Sequence, residues 1–294
     1  MKKIYFRDIG IFKVLGSFRA FIVRTKWLYR LLLPVVQIAL FPRRSVSELV
    51  RVICFNLFRR NHSITVRQSG IKSTFLAVSE TNYWDIWRTR KEMGQYLEHG
   101  LKTGDVAYDI GSNVGTYTIP MSKFVGDKGK ILAFEPDPTS HESLLTNLQI
   151  NNIENCQTYR YCIGNENKDL EFFVRPDKDT HSIFEKSHAP SPTGELLRIS
   201  SKMKTLDQLV QSGEIPQPNF IKLDVEGAEL LALDGMRQVL TKVRAIYIEC
   251  HNALKVDLLL GEPVPLVTEK LYQLGAKKVL RTDANHVIGY FGND

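Results

Sequence analysis

The stretch from Asp105 to Pro136, DVAYDIGSNVGTYTIPMSKFVGDKGKILAFEP, constrains this chain more than any other. An apolar run, Val106 to Ile110, feeds Gly111, Ser112, Asn113, Val114 and Gly115, and a segment of small and apolar residues follows. This is the order of a strand, a glycine-containing turn and a helix. About twenty residues beyond the turn a second strand, Lys130 to Phe134, ends directly in Glu135. The spacing is that of a nucleotide-binding βαβ unit, in which glycines let a ligand approach the backbone and an acidic residue on the second strand takes the ribose hydroxyls. A plainer reading also stands, in which the two glycines mark a tight strand-to-helix turn and nothing more.

The details of the turn decide which nucleoside fits. Dinucleotide binders use GxGxxG so that a pyrophosphate can rest on a helix N-terminus. Here Gly111 and Gly115 form GxxxG, with Asn113 where the second glycine would stand. Asp109, just before the turn, suits an ammonium rather than a phosphate, and ammonium plus ribose describes S-adenosylmethionine. The stretch resembles the class I methyltransferases, and DIGSNVGTYT followed by FEPDP resembles the FkbM-type methyltransferase family in particular.

With 294 residues the chain can hold one sizeable α/β domain and an appendage, and needs no disulfides for its core. Four cysteines, Cys54, Cys156, Cys162 and Cys250, show no CxxC pair or metal-ligand spacing, which points to a reducing, cytoplasmic setting. Charge divides the chain unevenly. Residues 1–60 hold 13 Lys and Arg against Asp8 and Glu48, a net +11, so of the total +7 the remainder carries −4. The high isoelectric point therefore belongs to an N-terminal extension, residues 1–62, and argues poorly for nucleic acid as the partner of the domain, residues 63–294. The apolar run from Leu31 to Phe41 is interrupted by Pro34 and Gln37 and falls well short of the roughly 20 residues that span a bilayer. It begins too far into the chain for a cleaved signal. The extension reads either as a basic amphipathic segment lying on an anionic membrane surface or as a helical appendage packed on the core.

Along the domain, alternating Ile64, Val66, Phe75 and Ala77 predict a hairpin within Ser63 to Glu80. Asn82 to Gly100 predicts a helix whose Trp84, Trp87, Met93, Tyr96 and Leu97 pack in the core. After Glu135, Pro138 and Ser140 start a helix with apolar Leu144, Leu145, Leu148 and Ile150. A third strand runs from Gln157 to Ile163, and its end places the backbone of Cys162 and Ile163 near an adenine. Leu170 to Val174 follows as a strand. Residues 175–202, polar and broken by Pro176, Pro190, Pro192 and Gly194, read as a long substrate-facing loop holding His181 and Ser182. Then come a helix after Thr205, a strand Phe220 to Leu223 with a turn through Gly227, a strand Val243 to Ile248, a helix near Val267 to Leu274, and a closing antiparallel hairpin, Lys277 to Leu280 with Val287 to Phe291.

A second constellation stands at two more strand ends: Asp224 with Glu226, and Glu249 with His251. Ligands of open α/β sheets bind beyond the carboxyl ends of the strands, where Gly111 and Glu135 also lie. Residues i and i+2 of an extended segment share a face, so each pair points one way if the strand geometry persists past the Gly227 turn. A hydroxyl acceptor is a weak acid. It needs either a general base such as His251 or a divalent metal held by carboxylates, and these four residues supply either. The alternative is that Asp224 and Glu226 cap the next helix and touch the cofactor's methionine part, with His251 packed nearby.

FIKLDVEGAE, preceded by TLDQL and followed by a strand ending in IECH, again resembles the FkbM-type family, which then covers roughly residues 90–292. The resemblance implies a Rossmann-like class I α/β fold: a doubly wound, mostly parallel seven-stranded sheet with a C-terminal antiparallel hairpin, here carrying a basic helical N-terminal extension. It implies S-adenosylmethionine-dependent O-methylation, with sugar, glycolipid or natural-product hydroxyls as acceptors. By match, Asp109, Gly111, Asn113 and Gly115 line the methionine and ribose, Glu135 takes the ribose diol, and Asp224 faces the transferred methyl. Ser112 stands where the family more often has Ala. A Rossmann dehydrogenase is disfavoured by the missing GxGxxG, and a base methyltransferase by LDVE at the strand end where a stacking aromatic motif would stand. An inactive scaffold of the same fold, or a membrane-surface binding protein, is the alternative from another class.

Overall fold

The computed structural model describes residues 63–76, 86, 93–96, 98–175, 180–182, 197–251 and 262–292. The extension 1–62, with its run Leu31 to Phe41, lies outside them, as do Trp84, Trp87, Leu97 and residues 183–196. The expected hairpin forms from β1 (Ser63–Gln68) and β2 (Ile71–Leu76), a separate two-stranded sheet with Ile64, Val66 and Phe75 buried. Helical residues at Ile86 and 93–96 lead to the turn at Gly100, and Met93 and Tyr96 are buried.

The βαβ unit follows as β3 (Val106–Ile110), α1 (Thr118–Val125) and β4 (Lys130–Phe134). Next is α2 (Pro138–Ile150), with Asp137 accepting from the Ser140 N–H at 2.7 Å and Pro138 in its first turn. The strands β5 (Cys156–Tyr159), β6 (Tyr161–Ile163), β7 (Lys168–Arg175), β8 (Thr180–Ser182) and β9 (Leu197–Lys204) follow. After α3 (Leu206–Gln211), capped by Thr205, come β10 (Phe220–Leu223), α4 (Glu229–Asp234), α5 (Arg237–Leu240) and β11 (Ala245–Glu249). The chain closes with α6 (Pro263–Gln273), β12 (Lys278–Arg281) and β13 (His286–Tyr290).

Seven strands make the main sheet, in the order β12-β13-β11-β10-β3-β4-β5. The pairs from β11 through β5 are parallel, and β13 is antiparallel to both of its neighbours, as the hairpin expectation requires. Alternate residues divide between two cores. Tyr108, Ile110, Leu132, Phe134, Ile221, Leu223, Ile246 and Ile248 meet α3 through α6 on one face. Ala107, Ile131, Phe220, Ala245 and Tyr247 meet Met93, Tyr96, Tyr117, Met121 and Val125 on the other. Both faces are covered, so the central strands read as continuous apolar runs.

Three expectations are corrected. The strand expected over Gln157 to Ile163 breaks at Arg160: β5 stays in the main sheet while β6 enters a four-stranded sheet of order β6-β9-β7-β8. The stretch expected to be a loop over 175–202 contains β8 and most of β9, which pairs antiparallel with β7 from Lys168↔Met203 to Val174↔Leu197. Much of β9 is exposed, so it carries no apolar run to announce it. In α2, Leu144 and Leu148 are buried but Leu145 and Ile150 are exposed, since only one stripe of that helix meets the protein.

Candidate active site

The register of the central strands sets the site. Ile110 pairs with Phe134 on one side and Leu223 on the other, and Leu223 pairs with Ile248. The next residue on each strand is Glu135, Gly111, Asp224 or Glu249. The four therefore form a row at the carboxyl ends, the place where open α/β sheets bind ligands.

The first half of the site is the turn after β3. Gly111 (φ +78°) and Ser112 both donate their N–H to the Phe134 carbonyl, at 3.0 and 3.1 Å. A Cβ on Gly111 would lie 1.7 Å from the Asp224 carbonyl oxygen, and one on Gly115 (φ +89°) 2.7 Å from Leu144 Cδ1. Asn113, also left-handed at φ +47°, donates its N–H to Glu135 Oε2 at 2.8 Å, and the Asp137 N–H reaches Glu135 Oε1 at 2.9 Å. Glu135 is thus fixed to the turn by both oxygens. Burial pushes its carboxyl up to about 7 against the pull of these two backbone donors. Ser112 Oγ and Asn113 Oδ1 are buried without a hydrogen-bond partner, so the turn retains polar atoms that a nucleoside or amino-acid ligand can satisfy.

Asp109, expected to meet an ammonium of a ligand, meets one belonging to the chain. It is fully buried, accepts from Thr118 Oγ1 at 2.6 Å, and lies 3.2 Å from Lys222 Nζ. Lys222 was not foreseen. Its ammonium also donates to the Gly111 carbonyl at 2.9 Å, pairs with Asp224 Oδ2 at 3.1 Å and lies 5.0 Å from the centre of the Tyr117 ring. Burial alone would strip its proton, but Asp109 and Asp224 hold it charged, above the ordinary lysine range. Removing one partner of such a pair leaves an uncompensated buried charge, at about 3–5 kcal/mol. Lys222→Met is expected to lower stability by about that much, and adding Asp109→Asn to return part of it, as measured by denaturant melts of the single and double variants.

The second half is the cluster around His251. β10 ends at Leu223, and a turn with Glu226 at φ +49° and Gly227 at φ +99° brings Glu226 back to the cluster, in place of the shared strand face expected of Asp224 and Glu226. His251 Nε2 lies 3.6 Å from Asp224 Oδ1, 3.8 Å from Glu226 Oε2 and 3.8 Å from Glu249 Oε1. Its Nδ1 donates to Glu229 Oε1 at 2.8 Å, an oxygen that also accepts the Gly227 N–H at 3.0 Å. Burial pulls the imidazole down, but Glu226, Glu229 and Asp224 outweigh it and hold the ring well above its ordinary value. Glu249 is itself 3.4 Å from His286 Nε2, and His286 Nδ1 lies 2.8 Å from Asp283 Oδ1. Burial opposes the charge on His286, yet Glu249 and Asp283 push it up to about 9.

All four expected residues, Asp224, Glu226, Glu249 and His251, therefore meet, together with the unforeseen Glu229 and His286. Cys162 and Ile163 lie on β6, with the Cys162 side chain against Met203 in the smaller sheet and Ile163 in the same core as Ile110 and Phe134. A lysine inside the apolar run FIKL was the available signal for Lys222, because a charge in a strand buried on both faces needs a partner. Glu229 gave none, since an acid in the first turn of a helix is ordinary.

Residues 109–260 match the methyltransferase FkbM domain. A hexuronic acid methyltransferase of Haloferax volcanii, AglP, is 31% identical over 232 residues, covering 77% of this chain and 88% of that protein. The chain belongs to the FkbM methyltransferase family. It is an S-adenosylmethionine-dependent methyltransferase built on a mostly parallel seven-stranded α/β sheet. Methyltransferase 1 of Beauveria bassiana matches more narrowly, at 26% over 144 residues, 44% of this chain and 57% of that one. A solved S-adenosylmethionine-dependent O-methyltransferase of Thermotoga maritima overlaps 77% of each chain at 13% identity, with a TM-score of 0.44.

Proposed function

We propose that this FkbM methyltransferase methylates a hydroxyl of a sugar, a glycolipid or a secondary metabolite. The observation that carries the reading is the row of strand ends, in which the Gly111 turn stands between Glu135 and Asp224 and Glu249 follows one strand farther on. The naming of the Haloferax relative for a hexuronic acid supports a sugar-like acceptor.

In this reading Gly111, Ser112, Asn113 and Gly115 form the bed of the cofactor, with Asp109 behind it. Glu135 takes the ribose diol, and the backbone of Cys162 and Ile163 borders the adenine. S-adenosylmethionine, when bound, supplies a methyl group already activated by its sulfonium. The chain's part is to hold the acceptor oxygen in line and to receive its proton. Asp224, Glu226, Glu249 and His251 do so at the end of β10 and β11, the proton passing to this group or, where a divalent cation occupies it, to water. Cys156, Cys162 and Cys250 are free thiols, which accords with a cytoplasmic setting. Among the described residues no helix is long and apolar enough to cross a membrane. Contact of residues 1–60 with an anionic membrane surface belongs to the same proposal and rests on their charge alone.

Calorimetric titration with S-adenosylmethionine and S-adenosylhomocysteine tests the cofactor half. Glu135→Ala is expected to weaken binding at least about tenfold, because hydrogen bonds to a charged carboxylate are worth about 1.5–3 kcal/mol. A folded wild-type protein that binds neither ligand would overturn the reading in favour of a scaffold.

A further inference from the structure

The cluster at the ends of β10 and β11 has a feature that hydrogen bonding within it leaves unexplained. Three side chains each spend their far atom on a partner outside the group. Asp224 gives Oδ2 to Lys222 at 3.1 Å, Glu249 directs Oε2 to His286 at 3.4 Å, and His251 gives Nδ1 to Glu229 at 2.8 Å. Their near atoms, Asp224 Oδ1, Glu249 Oε1 and His251 Nε2, turn toward one another instead. The imidazole nitrogen is 3.6 and 3.8 Å from the two oxygens, too long for hydrogen bonds. One ligand atom from each of the three lies within 4.8 Å of the others.

These separations are slightly wider than those of ligands around an ion. With bonds of about 2.1 Å, neighbouring ligands sit about 3.0–3.4 Å apart and opposite ones about 4.2 Å, so a slight contraction brings all three atoms onto one cation. The outer partners fit the same picture. A metal-binding imidazole characteristically donates its other N–H to a carboxylate, and ligating carboxylates are held in turn. Glu229 does this from a fully buried position, and its Oε2 has no hydrogen-bond partner.

We propose that Asp224, Glu249 and His251 bind one divalent cation, with Glu229 as the positioning residue for His251. The proposal rests on the function read above and deepens it. A cation held by these three residues would lower the pKa of an acceptor hydroxyl, whose proton would pass to water beside the half-buried Glu226.

The test is metal binding by the full chain, stripped with EDTA and titrated with Mn²⁺, with free Mn²⁺ followed by electron paramagnetic resonance. One saturable site is expected, with Mg²⁺ competing. Glu249→Gln and His251→Ala are each expected to weaken it at least about tenfold, and Glu229→Gln by about 10–100-fold. Circular dichroism and melting curves identify any variant that fails to fold, and the three substitutions fall at the end of β11, just beyond it and on α4, so the loss of one to misfolding leaves the others informative. A folded wild-type protein with no saturable Mn²⁺ site, or variants that keep wild-type affinity, would overturn the proposal and leave the imidazolium as the cluster's cation. S-adenosylhomocysteine binding is measured on the same samples. If it persists and depends on Glu135, the cation proposal alone falls; if it is absent as well, the functional reading falls with it.

Discussion

Gly111→Ala is expected to leave little soluble, folded protein. The added methyl would lie 1.7 Å from the Asp224 carbonyl oxygen, a backbone atom bound into the neighbouring strand end and unable to swing away. The residue would also have to hold φ at +78°, a region costing a side chain about 1–2 kcal/mol by itself. Relief requires β3 and β10 to separate where Asp224 N–H bonds to the Ile110 carbonyl at 3.0 Å. The combined loss is expected to exceed about 4 kcal/mol, in the exceptional range for one substitution. Gly104→Ala is the matched control, with φ +84° and nothing within 4 Å of its added Cβ. It isolates the backbone term at about 1–2 kcal/mol. Soluble yield and thermal melts of the pair decide the matter, and two similar melting temperatures would refute the packing argument.

His251→Asn is expected to lower methyl transfer by about 10²–10⁴-fold while leaving S-adenosylhomocysteine affinity unchanged. The imidazole is the common neighbour of Asp224, Glu226 and Glu249, so its loss takes away either the proton acceptor or a cation ligand. The cofactor bed lies on the turn after β3 and loses no contact. Turnover near the wild-type rate would show that the acceptor proton leaves elsewhere.

The sheet was legible because its strands are buried on both faces. Val106 to Ile110, Lys130 to Phe134 and Phe220 to Leu223 appear in the chain as short apolar runs, each followed at once by a glycine or an acid. The smaller sheet was not. β9 alternates polar residues with a few half-buried ones, and the break at Arg160 lies inside a run that looks continuous in one dimension. At the site, Asp224, Glu226, Glu249 and His251 were legible as acids and a histidine at strand ends. Lys222 was legible only as a charge inside an apolar run and Glu229 not at all, because their importance comes from what faces them in the folded chain. Lys222 pairs in register with Asp109, more than a hundred residues earlier in the chain, and no local pattern records that.

The Lys222 ammonium touches the Gly111 carbonyl, Asp109 and Asp224 at once. DIGSNVG and FIKLDVEG, which look like separate signatures in the chain, are therefore chemically one. A descendant cannot redesign the cofactor bed and keep the acceptor end as it was, since a new residue at position 109 leaves the lysine without its counter-ion, and a new residue at 222 strands the aspartate. Drift in one motif has to be answered in the other, and tolerance to change should be found away from both.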